Sequence, residues 1–281
     1  MAGGIDSFTK LCLHMDGVNN GTVFTDSSSN PHTVSRVNAV TKTGTKKFGS
    51  ASGYFDGSGD YLSVPNSPDW AFGSGNFTID LWFRQTEVRD QRLFSQYVNN
   101  GSRWYIYYQP STLGISTAGG GIASWSASLS INIWYHLAIV RENDDWKLFV
   151  DGVSQGTVVN AATFPNLSSP LYIGVDWYNS SPSSQSKGYM DELRLSKGIA
   201  RWTSNFTPPT QAYYAYSISG DLSDDARIVI IDKSSGSMEY NDLVSAGAYS
   251  IPAVGNSEKL IAAFKEDTGE TIGYGKVIPV L

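Results

Sequence analysis

Residues 76–84 read NFTIDLWFR. Phe77, Ile79, Leu81 and Phe83 alternate with Thr78, Asp80, Trp82 and Arg84. That period of two puts one set of side chains on each face of a strand, so one face is apolar and destined for a core while the other is mixed. Further runs of β-branched and aromatic residues lie on either side: Arg103–Gln109 (RWYIYYQ), Trp134–Arg141 (WYHLAIVR), Trp146–Asp151 (WKLFVD) and Leu171–Asp176 (LYIGVD). Turn signals separate them, namely Asp56-Gly57, Gly119-Gly120-Gly121 and Asp151-Gly152. The last joins WKLFV to VSQGTVV and predicts a tight hairpin, because both residues tolerate positive φ. The best helical candidate is short, Ser67–Phe72, with Pro68 at its first position. Short strands at this spacing predict an all-β protein, a two-sheet sandwich or a barrel.

Composition agrees. Of 281 residues, 41% are hydrophobic and only 16% charged, with 28 Gly and 8 Trp, which suits a turn-rich β protein rather than a helical bundle or a disordered chain. Residues 1–210 carry 16 acids against 15 bases, and residues 211–281 carry 10 against 5. No Lys/Arg cluster offers itself to a phosphate backbone, so neither nucleic acid nor an anionic membrane surface is an expected partner. No run approaches the length of a membrane span. The opening MAGGIDSFTKLCLHMDG lacks the basic and apolar regions of an export signal. The single cysteine, Cys12, forms no disulfide framework and is expected to fill core space.

A break is expected at Phe206–Ala212, where Pro208-Pro209 cannot lie in a central strand. Beyond it tryptophan disappears and the acid excess begins. The predicted division is therefore a β-sandwich over 1–208 and a small β-sandwich, an assembly or spacer domain, over 209–281. Its strands are expected near Tyr213–Ser219, Arg227–Asp232, Ser245–Ile251, Lys259–Glu266 and Thr271–Val280.

Taken in order, the segments LCLHMDG (11–17), FTDSSSNPHTV (24–34), KFGSASGYFDGSGDYLSVP (47–65), NFTIDLWFR, WYHLAIVR, WKLFVDG (146–152), LYIGV (171–175) and GYMDELRLSKGIARW (188–202) resemble the laminin-G-like, pentraxin-related group of concanavalin-A-like jelly rolls. No single segment is specific; the ordered set is. The resemblance implies two stacked antiparallel sheets of six or seven strands, and binding of glycans or partner proteins. Phage tail and capsid proteins often open with a segment like DSFTKLCLHMDG and carry an ending like DELRLSKGIARW. The implied location is thus a virion, with capsid or tail proteins as partners and a homo-oligomer as one form; the alternative is an extracellular or cell-surface adhesion protein. The tail resembles, more loosely, transthyretin-like or fibronectin-like sandwiches.

The resemblance also implies a structural Ca²⁺ tying the N-terminal strand region to the last strand, with Asp16, Asp26, Asn30 and Asp191 in matching positions. Glu192 would flank the same strand and face the other way. The competing reading makes Asp16 and Asp26 turn residues bonded to their own backbone, and pairs Asp191 with Arg194. For glycans, exposed aromatics are the candidates, since sugars stack their C–H faces on Trp and Tyr. These are Trp104, Tyr107, Trp125, Trp177 and Tyr178, and the competing reading packs several of them between the sheets. Trp82, Trp134 and Trp146 lie within the motif strands and read as structural.

Enzymatic chemistry finds little support. Glycoside hydrolysis needs two carboxylates across the scissile bond, and no E-x-D-x-E strand is present. His14, His32 and His136 lack the spacing of a zinc site. His136, in an apolar strand, reads as an interior residue. The glycine run at 119–121 precedes a strand and lacks the Lys-Ser/Thr of a phosphate loop. The sequence therefore predicts a non-enzymatic binding or virion decoration protein, with a degenerate glycosidase as the remote alternative.

Overall fold

The computed structural model describes residues 4–222, 226–232, 238–244, 247–252, 259–265, 271–275 and 278–279, with side chains described up to Tyr213. The protein is all-β, and its one helical element is a single 3₁₀ turn at Pro68–Trp70 among the described residues. Ser67 caps that turn by accepting from the Asp69 amide, and Pro68 stands at its start. The chain divides into two units, Phe8–Ala212 and a second that joins the residues up to Ser7 with Tyr213–Leu281.

The first unit is a sandwich of two large antiparallel sheets. One has seven strands in the order Gly120–Ser126, Thr112–Thr117, Ser102–Gln109, Gln91–Asn99, Leu171–Ile173, Tyr61–Val64 and Ser35–Val37. The other runs Val153–Val159, Asp145–Val150, Tyr135–Glu142, Phe77–Gln85, Lys187–Lys197, Ser52–Asp56 and Val40–Lys42, with Thr9–Leu13 also paired to Lys187–Lys197. Phe77, Ile79, Leu81 and Phe83 enter the core as their spacing predicts, facing Trp104, Ile106 and Tyr108 of the opposite sheet. The Asp151-Gly152 hairpin takes its expected form, with φ of 48° and 76°, and the Asp151 carboxylate accepts from the His136 amide at 2.8 Å.

The mixed face of NFTIDLWFR is buried too. Thr78 bonds to Ile199 O and to the Arg201 amide in the segment 199–206, where the Trp202 and Phe206 rings stack at 4.1 Å, while Trp82 is met by Lys47 and Phe48. Beneath that lid Arg194 donates twice to Asp80, at 3.1 and 3.2 Å, and His136 Nε2 stands 3.6 Å from the same carboxylate. Arg201 donates to Ser196 and Thr9. A second, polar layer thus backs the sheet, and every ionic group in it has a partner, as burial demands. The lid is pinned where the Phe206 amide donates to Gly152 O. A Cβ on Gly152 would come 1.8 Å from the Phe206 carbonyl, so only glycine permits the approach.

In the second unit Tyr214–Leu222 pairs with Gly247–Pro252 and Ile278–Pro279, and runs parallel to Gly4–Ile5. A further four-stranded sheet has the order Met238–Val244, Ala226–Asp232, Lys259–Lys265, Thr271–Gly275. The strand Met238–Val244 is absent from the sequence expectation, because MEYNDLV mixes charge with apolar residues without a clean alternation.

Candidate functional site

The strand Ser102–Gln109 decides where a ligand can lie. Trp104, Ile106 and Tyr108 point inward, so Arg103, Tyr105 and Tyr107 point out. Arg92 on the neighbouring strand faces the same way, opposite Tyr107. Its guanidinium lies 4.7 Å from the Tyr105 ring centre and 5.6 Å from that of Tyr107, while Arg103 lies 5.2 Å from Tyr105 and 5.4 Å from Tyr178. Gly114 opposite Tyr107 makes room for that ring, since a Cβ there would strike the phenol.

Over this face folds the hairpin Asp176–Tyr178/Ser181–Ser183. Its two tip residues, Asn179 and Ser180, both have positive φ (49° and 60°), the geometry of a tight two-residue turn. Asn100 holds the tip through side chain and backbone of Asn179, and Tyr97 accepts from the Ser180 amide at 3.1 Å. The hairpin delivers Asp176 between the two arginines, 3.4 Å from Arg103 Nη1 and 4.0 Å from Arg92 Nε. Burial raises this carboxyl above the ordinary carboxylate range, against the pull of the Trp177 amide and of Arg103 and Arg92. Trp177 turns the other way, onto Tyr172 and Tyr61, at 5.4 and 5.9 Å.

The polar groups here are short of partners. Arg92 Nε, Arg103 Nε, Trp177 Nε1 and Asp176 Oδ1 are buried without a hydrogen bond among the described residues. Native interiors seldom leave such atoms unpaired, and the three that Arg92, Arg103 and Asp176 bring together ask for water or a ligand. Beside the cluster, at the strand ends, opens a cleft of about 210 Å³ lined by Ser102, Arg103, Thr117, Gly119, Thr163 and Leu167, among others. It is smaller than the roughly 300–1,000 Å³ that encloses a drug-sized ligand, and suits part of an extended one. Tyr178, 53% exposed, stands over Arg103.

The sequence matches the profile of the concanavalin A-like lectin/glucanases superfamily, Laminin_G_3, over residues 56–201, just over half of the chain. The chain belongs to this laminin-G-like family. Arg92, Arg103, the hairpin and the cleft all fall inside the matched segment. No curated protein matches the sequence at a significant level. Among solved structures, the laminin-G-like chain is similar to domain 4 of AbnA, a GH43 extracellular arabinanase from Geobacillus stearothermophilus, solved with arabinotriose. The TM-score is 0.52 at 16% identity, covering 71% of this chain and 95% of that one. It is also similar to the binding domain of Paraclostridial Mosquitocidal Protein 1 (TM-score 0.53, 14% identity, 96% and 75% covered). The botulinum neurotoxin serotype G binding domain is a third (TM-score 0.52, 12% identity, 96% and 70% covered). At these identities the likeness is one of fold alone: a lectin-like jelly roll.

Within the laminin-G-like unit the five expected sugar-stacking rings separate. Trp104 is a correction. It is fully buried, donates to Gln96 Oε1 at 2.9 Å and packs 4.8 Å from Phe164. Trp125 is a second: only 5% exposed, it belongs to the core and donates to Gly156 O. Tyr107 and Tyr178 lie on the outer face described above, and Trp177 is half-buried beside them. Trp104 and Tyr107, three residues apart on one strand, could not have shared a face. Arg92, Arg103 and Asp176 are not among the residues that the sequence singles out. The available signal was the alternation Arg103, Tyr105, Tyr107, the polar-aromatic half of RWYIYYQ.

The acids matched to a Ca²⁺ site are each engaged elsewhere. Asp26 accepts from the amides of Cys12, Ser28 and His32, and from the Ser28 hydroxyl. Asp16 accepts from the Ser50 and Ala51 amides, and Asp191 from those of Lys47, Phe48 and Glu192. Asn30 is exposed. Among the described residues no three His, Cys, Asp or Glu side chains group to hold a metal ion, so this donor set does not fit a calcium cage. Asp191 does not pair with Arg194, which is committed to Asp80.

Nor do Asp191 and Glu192 face opposite ways. A bulge between Asp191 and Arg194, with Glu192 at φ 46°, leaves both Met190 and Leu193 in the core and turns the two acids outward together. Glu192 meets His14 Nδ1 at 2.9 Å. Burial pushes Asp191 up to about 8, the Lys47 amide opposing and the Glu192 charge assisting. Burial works to lower His14, but the bond to Glu192 and the nearby carboxylates outweigh it and raise its pKa.

Proposed function

We propose that the protein is a non-catalytic carbohydrate-binding protein whose laminin-G-like unit takes a glycan across Tyr105, Tyr107 and Tyr178 and into the adjoining cleft. The observation that carries this is that the exposed Tyr178 and the half-buried Tyr105 and Tyr107 share one part of the outer face with Arg92, Arg103 and Asp176, which hold buried hydrogen-bonding atoms without partners among the described residues. Sugar recognition needs both: flat apolar platforms for C–H faces and fixed polar groups for hydroxyls. The arabinotriose bound by AbnA domain 4, and the fact that the similar toxin structures are binding domains, are in keeping with this reading. No chemistry is assigned. The cleft lining contains no carboxylate, whereas glycosidic cleavage needs two across the bond. Asp191 and Glu192, though adjacent, are almost wholly buried and tied to backbone amides and His14.

A glycan array with the full chain, followed by titration of the best ligand, tests the reading. Tyr178→Ala is expected to weaken binding about three- to tenfold, the worth of one lost ring contact, with no change in melting temperature. Retention of full affinity in Tyr178→Ala, or the absence of binding to any glycan, defeats the proposal.

For the biological setting we propose a virion component, a decoration or tail protein presenting this lectin-like unit. Support comes from the segments DSFTKLCLHMDG (6–17) and DELRLSKGIARW (191–202), which resemble those of phage structural proteins. Detection of the chain in stoichiometric amounts on purified particles is the expected result. Secretion to a bacterial surface without particles would replace this setting with an adhesion role.

A further inference from the structure

Resting on the carbohydrate reading above, we infer that the site selects neutral, hydroxyl-rich glycans and disfavours acidic ones. Two guanidiniums on the outer face invite the opposite conclusion, but their surroundings cancel them. Arg103 and Arg92 share Asp176, and Arg92 has a second acid, Asp90, at 3.8 Å. The formal charges of the four groups sum to zero. In the cleft, Arg103 is the one ionisable side chain of the lining, which is otherwise glycine, hydroxyl and apolar. No surplus positive field is left to draw an anion.

The unpaired atoms point the same way. Arg92 Nε and Arg103 Nε can only donate, and Asp176 Oδ1 accepts. A ligand carboxylate or sulfate only accepts, so it would serve the donors while placing a second negative group beside a buried Asp176. Hydroxyls both donate and accept, so neighbouring hydroxyls on one sugar ring answer both kinds of atom at once. Rejection of the anion comes from Asp176, the residue that the hairpin tip, pinned by Asn100 and Tyr97, holds between the arginines.

Titration of the full chain with matched neutral and acidic oligosaccharides tests this: arabino- and galacto-oligosaccharides against sialylated and uronate-containing ones, at low salt and at about 0.5 M salt. The wild-type chain is expected to bind the best neutral ligand at least about tenfold more tightly than the best acidic one, with affinity insensitive to salt. Asp176→Asn removes the negative charge and leaves the arginines. It should weaken the neutral ligand about tenfold and strengthen acidic ligands in a salt-sensitive way. Acidic glycans bound as well as or better than neutral ones by the wild type, and weakened by salt, would overturn the inference while leaving glycan binding at this face intact. A chain that binds neither class fails the broader reading instead. The wild-type preference and its salt dependence decide the matter even if Asp176→Asn does not fold.

Discussion

Trp104→Ala is expected to lower stability by about 3–5 kcal/mol, the range for deleting a large buried aromatic, and to leave glycan affinity of the folded fraction unchanged. The ring is fully buried among Phe72, Phe164 and Gln96, at the centre of the packing between the two sheets. Its removal opens a cavity and strips Gln96 Oε1 of its donor, so two penalties act together. For a domain of this size the midpoint should fall by about 6–20 °C. Thermal melting followed by circular dichroism, with binding measured well below the midpoint, separates the two effects. A variant that melts like the wild type but no longer binds sugar would move Trp104 from the core to the ligand.

Breaking the polar layer should cost as much. In Arg194→Met, Asp80 loses two hydrogen bonds inside a sealed layer. Unpairing a buried charge in this way destabilises by about 3–5 kcal/mol. The pair itself is worth far less than that. Replacing both partners, Asp80→Leu with Arg194→Met, removes the orphaned charge and should recover much of the loss, since apolar replacements of buried ion pairs are often close to neutral. A double-mutant cycle by denaturant unfolding measures the coupling directly. A single-variant cost below about 1 kcal/mol would mean that water, not Arg194, keeps Asp80 solvated.

These two variants also mark where the sequence stops being readable. The strand NFTIDLWFR is legible because a period of two survives in the residue order, and Phe77 to Phe83 behave accordingly. Its other face is not legible. What meets Thr78 is Ile199 and Arg201, and what closes over Arg194 and His136 beside Asp80 is Trp202 with Phe206, all more than a hundred residues beyond the strand, and no local pattern announces a lid. In RWYIYYQ the alternation is plain, yet each face carries two aromatics, so the pattern alone cannot say which set is core. The candidate site is harder still. Arg92, Arg103 and Asp176 come from three separate segments, and only the pairing of their strands and the tight turn at Asn179-Ser180 bring them together. Glu192 fails for a different reason. A single residue in positive φ shifts the register, and a rule that neighbours on a strand face opposite ways breaks down at that point.

The parallel pairing of Gly4–Ile5 with Tyr214–Leu222 has a consequence for how the molecule comes into being. Covalently, the laminin-G-like unit is a guest inside its smaller host, entering after Ser7 and leaving at Tyr213. During synthesis the host's opening strand must wait for a mate made about two hundred residues later, and a chain that long closes at an entropic disadvantage unless the guest has already folded and gathered its two ends. Here Lys197 donates its amide to Phe8 O, drawing the exit side of the guest to its entrance.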